Sequence, residues 1–132
     1  MIKLLSNLKE EDLIYSLREI CWEASDIMLH YSKDMKNINN NSKFVKFKKH
    51  NEPVTIVDLE VNQLIVNKIN EKYPNYLWGI LSEENYKECN CKNLDYEWLW
   101  VLDPLDGTKD FLQGTGNYAM HLALNYRNKP FI

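Results

Sequence analysis

Two aspartates three residues apart, Asp103 and Asp106, bracket Pro104 and lead directly into Gly107-Thr108 in the stretch VLDPLDGTKDFL. Neighbouring carboxylates repel: at an effective dielectric of about 20, two full charges roughly 5 Å apart cost about 3 kcal/mol. A fold that keeps them needs turn chemistry that uses the carboxylates, or a cation between them. Asp at the first position of a turn, Pro at the second and Gly close behind suit a type I turn, with the carboxylates accepting from backbone N–H groups. The surroundings add a second constraint. The apolar run 98–102 (WLWVL) ends at Asp103, and another, 76–81 (YLWGIL), ends at Ser82-Glu83-Glu84. Adjacent strands bring the residues that follow them together, so two runs that both stop in acids predict carboxylates clustered at one end of a sheet.

The chain's 132 residues fit one domain, and folding at this size buries roughly two-thirds of the extended surface. Its hydrophobic content of 45% and formal charge of −3 are those of an ordinary globular protein. No one-sided basic surface emerges, which argues against a nucleic-acid polymer as partner. The cysteines are odd in number, and Cys89-Asn90-Cys91 is spaced too closely for an ordinary disulfide or a Cys-x-x-Cys zinc knuckle. With Cys21 they read as reduced thiols of a cytoplasmic protein. Acids interrupt the N-terminal stretch where a signal peptide is apolar, and no run approaches the 18 apolar residues of a membrane span, so no membrane partner is expected.

Along the chain, Leu13, Leu17, Ile20, Ala24, Ile27, Met28 and Tyr31 recur at steps of three and four, which predicts a helix over 13–31 with Asn7 and Glu10 as its cap. The polar run 33–43 reads as a surface loop, and 44–48 alternates like a strand. Val61, Leu64, Ile65 and Ile69 predict a second helix over 57–72, begun near Asp58 and stopped by Pro74. Strands follow at 76–81 and 98–102, a helical turn at 108–112, and a strand over 117–126. Asn128-Lys129-Pro130 reads as a hairpin turn. These elements describe an α+β domain over 1–132, two helices packed on a largely antiparallel sheet. Only Phe131 and Ile132 follow the hairpin turn, so the chain reads as the N-terminal part of a larger design whose C-terminal domain is absent. The truncated edge strand offers unpaired backbone groups to a homodimer partner or to a complementing C-terminal half.

Magnesium prefers hard oxygen ligands: carboxylates, waters and substrate phosphate oxygens. Asp103 and Asp106, with the Leu105 carbonyl between them, are candidates to bridge two such ions, and Glu83 to complete the first. Gly107 and Thr108 open a short helix beside them, where free N–H groups favour a phosphate.

The blocks Pro53-Val54-Thr55-x-x-Asp58, Ser82-Glu83-Glu84 and Asp103-Pro104-Leu105-Asp106-Gly107-Thr108 resemble those of the inositol monophosphatase superfamily of metal-dependent, lithium-sensitive phosphatases. Lys109-Asp110-Phe111 is similar to the 3′(2′),5′-bisphosphate nucleotidase branch, where inositol monophosphatases usually carry Thr-Asn-Phe. The resemblance implies the N-terminal part of a layered αβαβα fold and a Mg²⁺-dependent phosphomonoester hydrolase. Its implied substrate is a small phosphate ester, foremost adenosine 3′,5′-bisphosphate from sulfate assimilation, with inositol phosphate as the alternative. Carried onto matching positions, Glu83 and Asp103 would hold the first metal, and Asp103, the Leu105 carbonyl and Asp106 would organise the pair. Asp106, Gly107 and Thr108 would contact the phosphate, and Asp58 and Thr108 would orient and deprotonate the attacking water. The family takes a further metal-binding aspartate from a Trp-Asp motif beyond these residues, so a non-catalytic binding or assembly module is the competing reading.

Other candidates have plainer readings. Gln113-Gly114-Thr115-Gly116-Asn117 follows a helical turn and precedes a strand, the reverse of a dinucleotide fingerprint, and reads as a plain loop. His121 reads as a structural histidine, His30 and His50 lack partners at metal spacing, and Lys43, Lys46, Lys48 and Lys49 read as a solvated strand face. Glu84 points away from Glu83 if the pleat continues.

Overall fold

The computed structural model describes residues 8–37, 45–47, 53–86 and 96–132. In chain order these are α1 (Glu10–Asn37), β1 (Val45–Phe47), β2 (Pro53–Thr55), α2 (Ile56–Lys72), β3 (Gly79–Ser82), β4 (Trp98–Asp106), α3 (Thr108–Gln113), β5 (Ala119–Tyr126) and β6 (Lys129–Pro130). Strands β1 and β2 form an antiparallel ribbon, while the main sheet has the order β3-β4-β5-β6. Within it β3 and β4 run parallel, and the pairs β4/β5 and β5/β6 are antiparallel. Asn7, Lys43, Lys48, Lys49, His50, Cys89 and Cys91 lie outside the described residues.

The core follows from periodicity. Leu13, Leu17, Ile20, Ala24 and Met28 form the buried face of α1, and Val57, Val61, Ile65 and Ile69 that of α2. On β4 the alternate residues Trp98, Trp100 and Leu102 face the same core, joined by Leu124 of β5. At the flank of the helix pair, Lys68 meets Glu23 at 2.9 Å and Lys72 meets Glu19 at 2.7 Å. The other face of the sheet carries Leu81, Val101, Asp103, His121 and Ala123, which line a concavity of about 600 Å³. Among the described residues no helix is long and apolar enough to cross a membrane.

Four elements depart from the sequence reading. Helix α1 continues through Asn37 instead of yielding to a loop at Lys33: Lys33 to Asn37 include no Gly or Pro, and extending an established helix adds one hydrogen bond per residue fixed. Strand β3 starts at Gly79, because Pro74 and Asn75 sit in a turn closed by Tyr76 N donating to Tyr73 O. The β5/β6 turn is centred on Arg127 and Asn128, with φ of 46° and 62°, and not on Lys129-Pro130. Two consecutive positive-φ residues make the two-residue hairpin whose twist suits the flanking strands. Strand β4, finally, does not stop at Leu102 but runs on through the acids to Asp106.

Ile65 is fully buried and Leu59, on the same helix, is 41% exposed. Ile65→Ala is expected to cost about 2–5 kcal/mol and Leu59→Ala under about 1 kcal/mol, as read by chemical denaturation.

Candidate active site

Parallel pairing of β3 with β4 sets Ser82 beside Leu102, and the Glu83 N–H donates to the Leu102 carbonyl at 3.0 Å. The two strands therefore deliver Glu83 and Asp103 side by side at their carboxyl ends. The turn after β3 is pinned by Asn85, a residue the sequence reading missed. The Ser82 N–H donates to Asn85 Oδ1 at 2.7 Å, and the Asn85 N–H donates to Ser82 Oγ at 3.2 Å. The signal was available: Ser and Asn three residues apart after an apolar run form such side-chain turns.

Beyond Asp103 the β4/β5 ladder slips. Asp103 pairs with His121 and Asp106 with Ala119, so β4 spends one more residue than β5 between the two pairs. This bulge contains Pro104, which has no N–H to give a ladder. It also changes parity. Two residues at odd spacing face opposite sides of a regular strand, whereas His121 and Ala119 share a face. Opposite them, Asp103 and Asp106 share it too.

Asp103 Oδ1 accepts from the Leu105 N–H at 3.2 Å, so the bland turn chemistry and the carboxylate cluster coexist in one residue. Burial pushes the Asp103 carboxyl above its ordinary range, and the charges of Glu83 and Asp106 push it the same way, against the Leu105 amide. Asp106 turns toward His121, with Nε2 3.7 Å from Asp106 Oδ2. His121, which reads in the sequence as a structural histidine, has its side chain 63% exposed on the face of Asp103, as its odd spacing from buried Leu124 allows. No three His, Cys, Asp or Glu side chains among the described residues converge closely enough to hold a metal ion.

A second cluster joins α2 to the bulge. Asp58 is 1% exposed, and its Oδ2 accepts from Thr55 N at 2.7 Å and Thr55 Oγ1 at 2.6 Å. Thr55 Oγ1 in turn accepts from the Val57 and Asp58 N–H groups, which completes a reciprocal cap of α2. Asp58 Oδ1 lies 3.3 Å from Thr108 Oγ1, and the same hydroxyl lies 3.0 Å from the Leu105 carbonyl oxygen. One hydroxyl proton serves one acceptor at a time, and both the Leu105 carbonyl and the Asp58 carboxylate lie within its reach. Gly107 makes this approach possible. Its φ is +80°, and a Cβ there would stand 2.5 Å from the Asn117 carbonyl oxygen.

The loop after α3 closes that helix: Thr115 N donates to Asp110 O at 3.1 Å and Thr115 Oγ1 to Asp110 Oδ1 at 2.8 Å. His30 makes an edge contact with Tyr31. Lys46 lies on β1, the single described position of its lysine run.

The donor set is all hard oxygen. A divalent cation held by Glu83 and Asp103 would offset the burial cost and the repulsion that together raise Asp103, so the residues fit Mg²⁺ in kind.

The pattern of the inositol monophosphatase family matches residues 9–132. The chain is 32% identical over 100 residues to the 3′(2′),5′-bisphosphate nucleotidase CysQ of Haemophilus influenzae, covering 76% of this chain and 36% of that protein. It is 35% identical over 95 residues to the Nus factor SuhB of Vibrio cholerae, covering 71% of this chain and 34% of that one. The extragenic suppressor protein suhB of Bartonella henselae superposes with a TM-score of 0.69 at 22% identity, over 90% of this chain and 42% of the other, which shows the fold. The chain therefore spans about a third of the length of these curated relatives.

Gly107→Ala is expected to lower stability by more than about 1 kcal/mol, since the positive φ and the clash with the Asn117 carbonyl act together; denaturant titration checks it. Asp103→Asn is expected to raise the thermal midpoint of the metal-free chain. A carboxyl raised in the folded state binds more protons folded than unfolded, so its charge costs stability once pH rises through the folded value. The gain from Asn is therefore present at pH 7 and vanishes below the unfolded value of about 3.9. Screening at this partly exposed site holds it under about 1 kcal/mol.

Proposed function

The chain belongs to the inositol monophosphatase family, and on that premise we propose that it is the N-terminal, metal-binding part of a Mg²⁺-dependent phosphomonoester hydrolase. The observation that carries the reading is the apposition of Glu83 and Asp103 at the ends of two parallel strands, with Asp106 brought to the same face by the bulge. Glu83 and Asp103 would hold a first Mg²⁺, and Asp103, the Leu105 carbonyl and Asp106 a second. When bound, such ions lower the pKa of a water and neutralise charge on a leaving oxygen.

The chain's own groups then handle the proton and the phosphate. Thr108 Oγ1 accepts a hydrogen bond from the attacking water when its own proton points to Asp58 Oδ1, 3.3 Å away. Asp58, buried and held by Thr55, is the fixed acceptor at the end of that relay. Gly107 and Thr108 would receive the phosphate, the role that the resemblance to the family assigns to these positions.

The foremost substrate is adenosine 3′,5′-bisphosphate. It is supported by Lys109-Asp110 after Gly-Thr and by the similarity to the bisphosphate nucleotidase of Haemophilus influenzae. Inositol phosphate is the alternative substrate. A non-catalytic module is favoured by a different observation: no three acids converge among the described residues.

The test is phosphate release by the chain joined to a family C-terminal half, with adenosine 3′,5′-bisphosphate, inositol 1-phosphate and fructose 1,6-bisphosphate as substrates. Release that requires Mg²⁺ and stops with EDTA is expected, greatest for adenosine 3′,5′-bisphosphate. Glu83→Gln or Asp103→Asn is expected to lower kcat about a hundredfold or more and to weaken Mg²⁺ binding by calorimetry, with the fold retained. Undiminished turnover in either variant refutes the metal assignment.

A further inference from the structure

Helix α1 has a second apolar feature that its core face does not use. Tyr15, Trp22 and Leu29, seven residues apart, are 66%, 69% and 52% exposed. Between and beyond them stand Glu11, Arg18, Asp26 and Lys33, all exposed. At 3.6 residues per turn, these seven residues fall within about 40° of the Trp22 direction, in a stripe about 33 Å long. Among the described residues none of the four charges forms an ion pair, while Glu19 and Glu23 on the helix flank are taken by Lys72 and Lys68.

The order of the stripe is Glu11, Tyr15, Arg18, Trp22, Asp26, Leu29, Lys33, and it has a centre. About Trp22, each residue has a counterpart at equal distance: Arg18 mirrors Asp26, Tyr15 mirrors Leu29 and Glu11 mirrors Lys33. Every charge has its opposite as its mirror image, and every apolar residue has an apolar one. A two-fold axis through Trp22 that ran two copies of α1 antiparallel would therefore set Arg18 against Asp26 twice and Glu11 against Lys33 twice. It would stack Tyr15 on Leu29 twice and Trp22 on Trp22. A parallel pairing would oppose each charge to itself, and shifting the antiparallel register by one turn would break the match. Charge juxtaposition of that kind selects orientation and register.

We propose that this stripe is an interface for a second copy of the chain, an antiparallel α1/α1 contact centred on Trp22. Its balanced charges, two acids and two bases, do not suit an anionic membrane surface, which selects a basic helix face. A single helix pair buries less than the roughly 1,600 Å² of a standard interface, so the dimer is weak and depends on concentration.

The experiment is sedimentation equilibrium of the chain, across concentrations from micromolar to submillimolar. Mass is expected to rise from 15.7 kDa toward twice that value. Arg18→Asp alone, and Asp26→Arg alone, are expected to weaken self-association roughly tenfold or more, because each sets like charges together at both mirror contacts. The double variant Arg18→Asp/Asp26→Arg restores it, and an equimolar mixture of the two single variants associates where neither does alone. Thermal midpoints within a few degrees of the parent confirm that the surface variants fold. A chain that stays monomeric throughout overturns the proposal, as does self-association indifferent to the single variants or not rescued by the double. A monomer that binds anionic phospholipid vesicles through Trp22, read by its fluorescence, would replace this partner with a membrane.

Discussion

The parallel pairing of β3 with β4 is the constraint on which the rest depends. Parallel strands point their carboxyl ends the same way, so whatever follows them meets. Here it is Glu83 and Asp103, two groups that destabilise each other when both are charged. The register that brings them together is enforced from the opposite face, where Trp100, Leu102 and Leu124 are buried against the helices. A slip of one residue would turn those side chains outward, at a cost far above that of one unfavourable carboxylate pair. The hydrophobic side of the sheet thus holds the acidic side in an arrangement that the acids alone would not choose.

A similar opposition governs the bulge. Pro104 interrupts the β4/β5 ladder, and the extra residue reverses the parity of the strand. Without it, Asp106 would face the core beside Leu102; with it, Asp106 stands on the open face with Asp103. The Leu105 side chain takes the buried place, 1% exposed, while its carbonyl accepts the Thr108 hydroxyl. The start of α2 reaches the same point from another direction. The Thr55 and Asp58 pair that caps this helix through Asp58 Oδ2 also presents Asp58 Oδ1 to Thr108. One buried aspartate serves both stability and site geometry, and it tolerates burial because its Oδ2 accepts from the Thr55 amide and the Thr55 hydroxyl, with the Thr108 hydroxyl in reach of its Oδ1.

Much of this was legible in the sequence, and what was not has physical reasons. The core faces of α1 and α2 came from spacing alone, because burial imposes the helical period on residue choice. The clustering of Glu83 and Asp103 came from two apolar runs ending in acids. The sequence alone ends β4 at Leu102, because Asp and Pro are poor strand formers, and only tertiary pairing with β5 shows that the ladder resumes after them. His121, mid-strand between apolar neighbours, reads as a structural histidine, yet its parity relative to Leu124 places it on the open face beside Asp106. The role of Asn85 escaped because a side-chain turn leaves no periodic trace.

Helix α1 shows how three different demands fit one surface. Its first stripe, through Leu13, Ile20 and Ala24, is uniform in chemistry, since a core asks only for apolar volume. Its flank, Glu19 and Glu23, is matched to lysines at fixed places on α2, so the charges there are of one sign. The third stripe follows neither pattern: it alternates acid, aromatic, base, aromatic, acid, aliphatic, base about a central tryptophan. Solvation alone asks for polar residues in no special order and gives no reason to expose a tryptophan. A surface that must match itself under rotation does impose such an order, with opposite charges at mirrored positions and the largest apolar side chain on the axis.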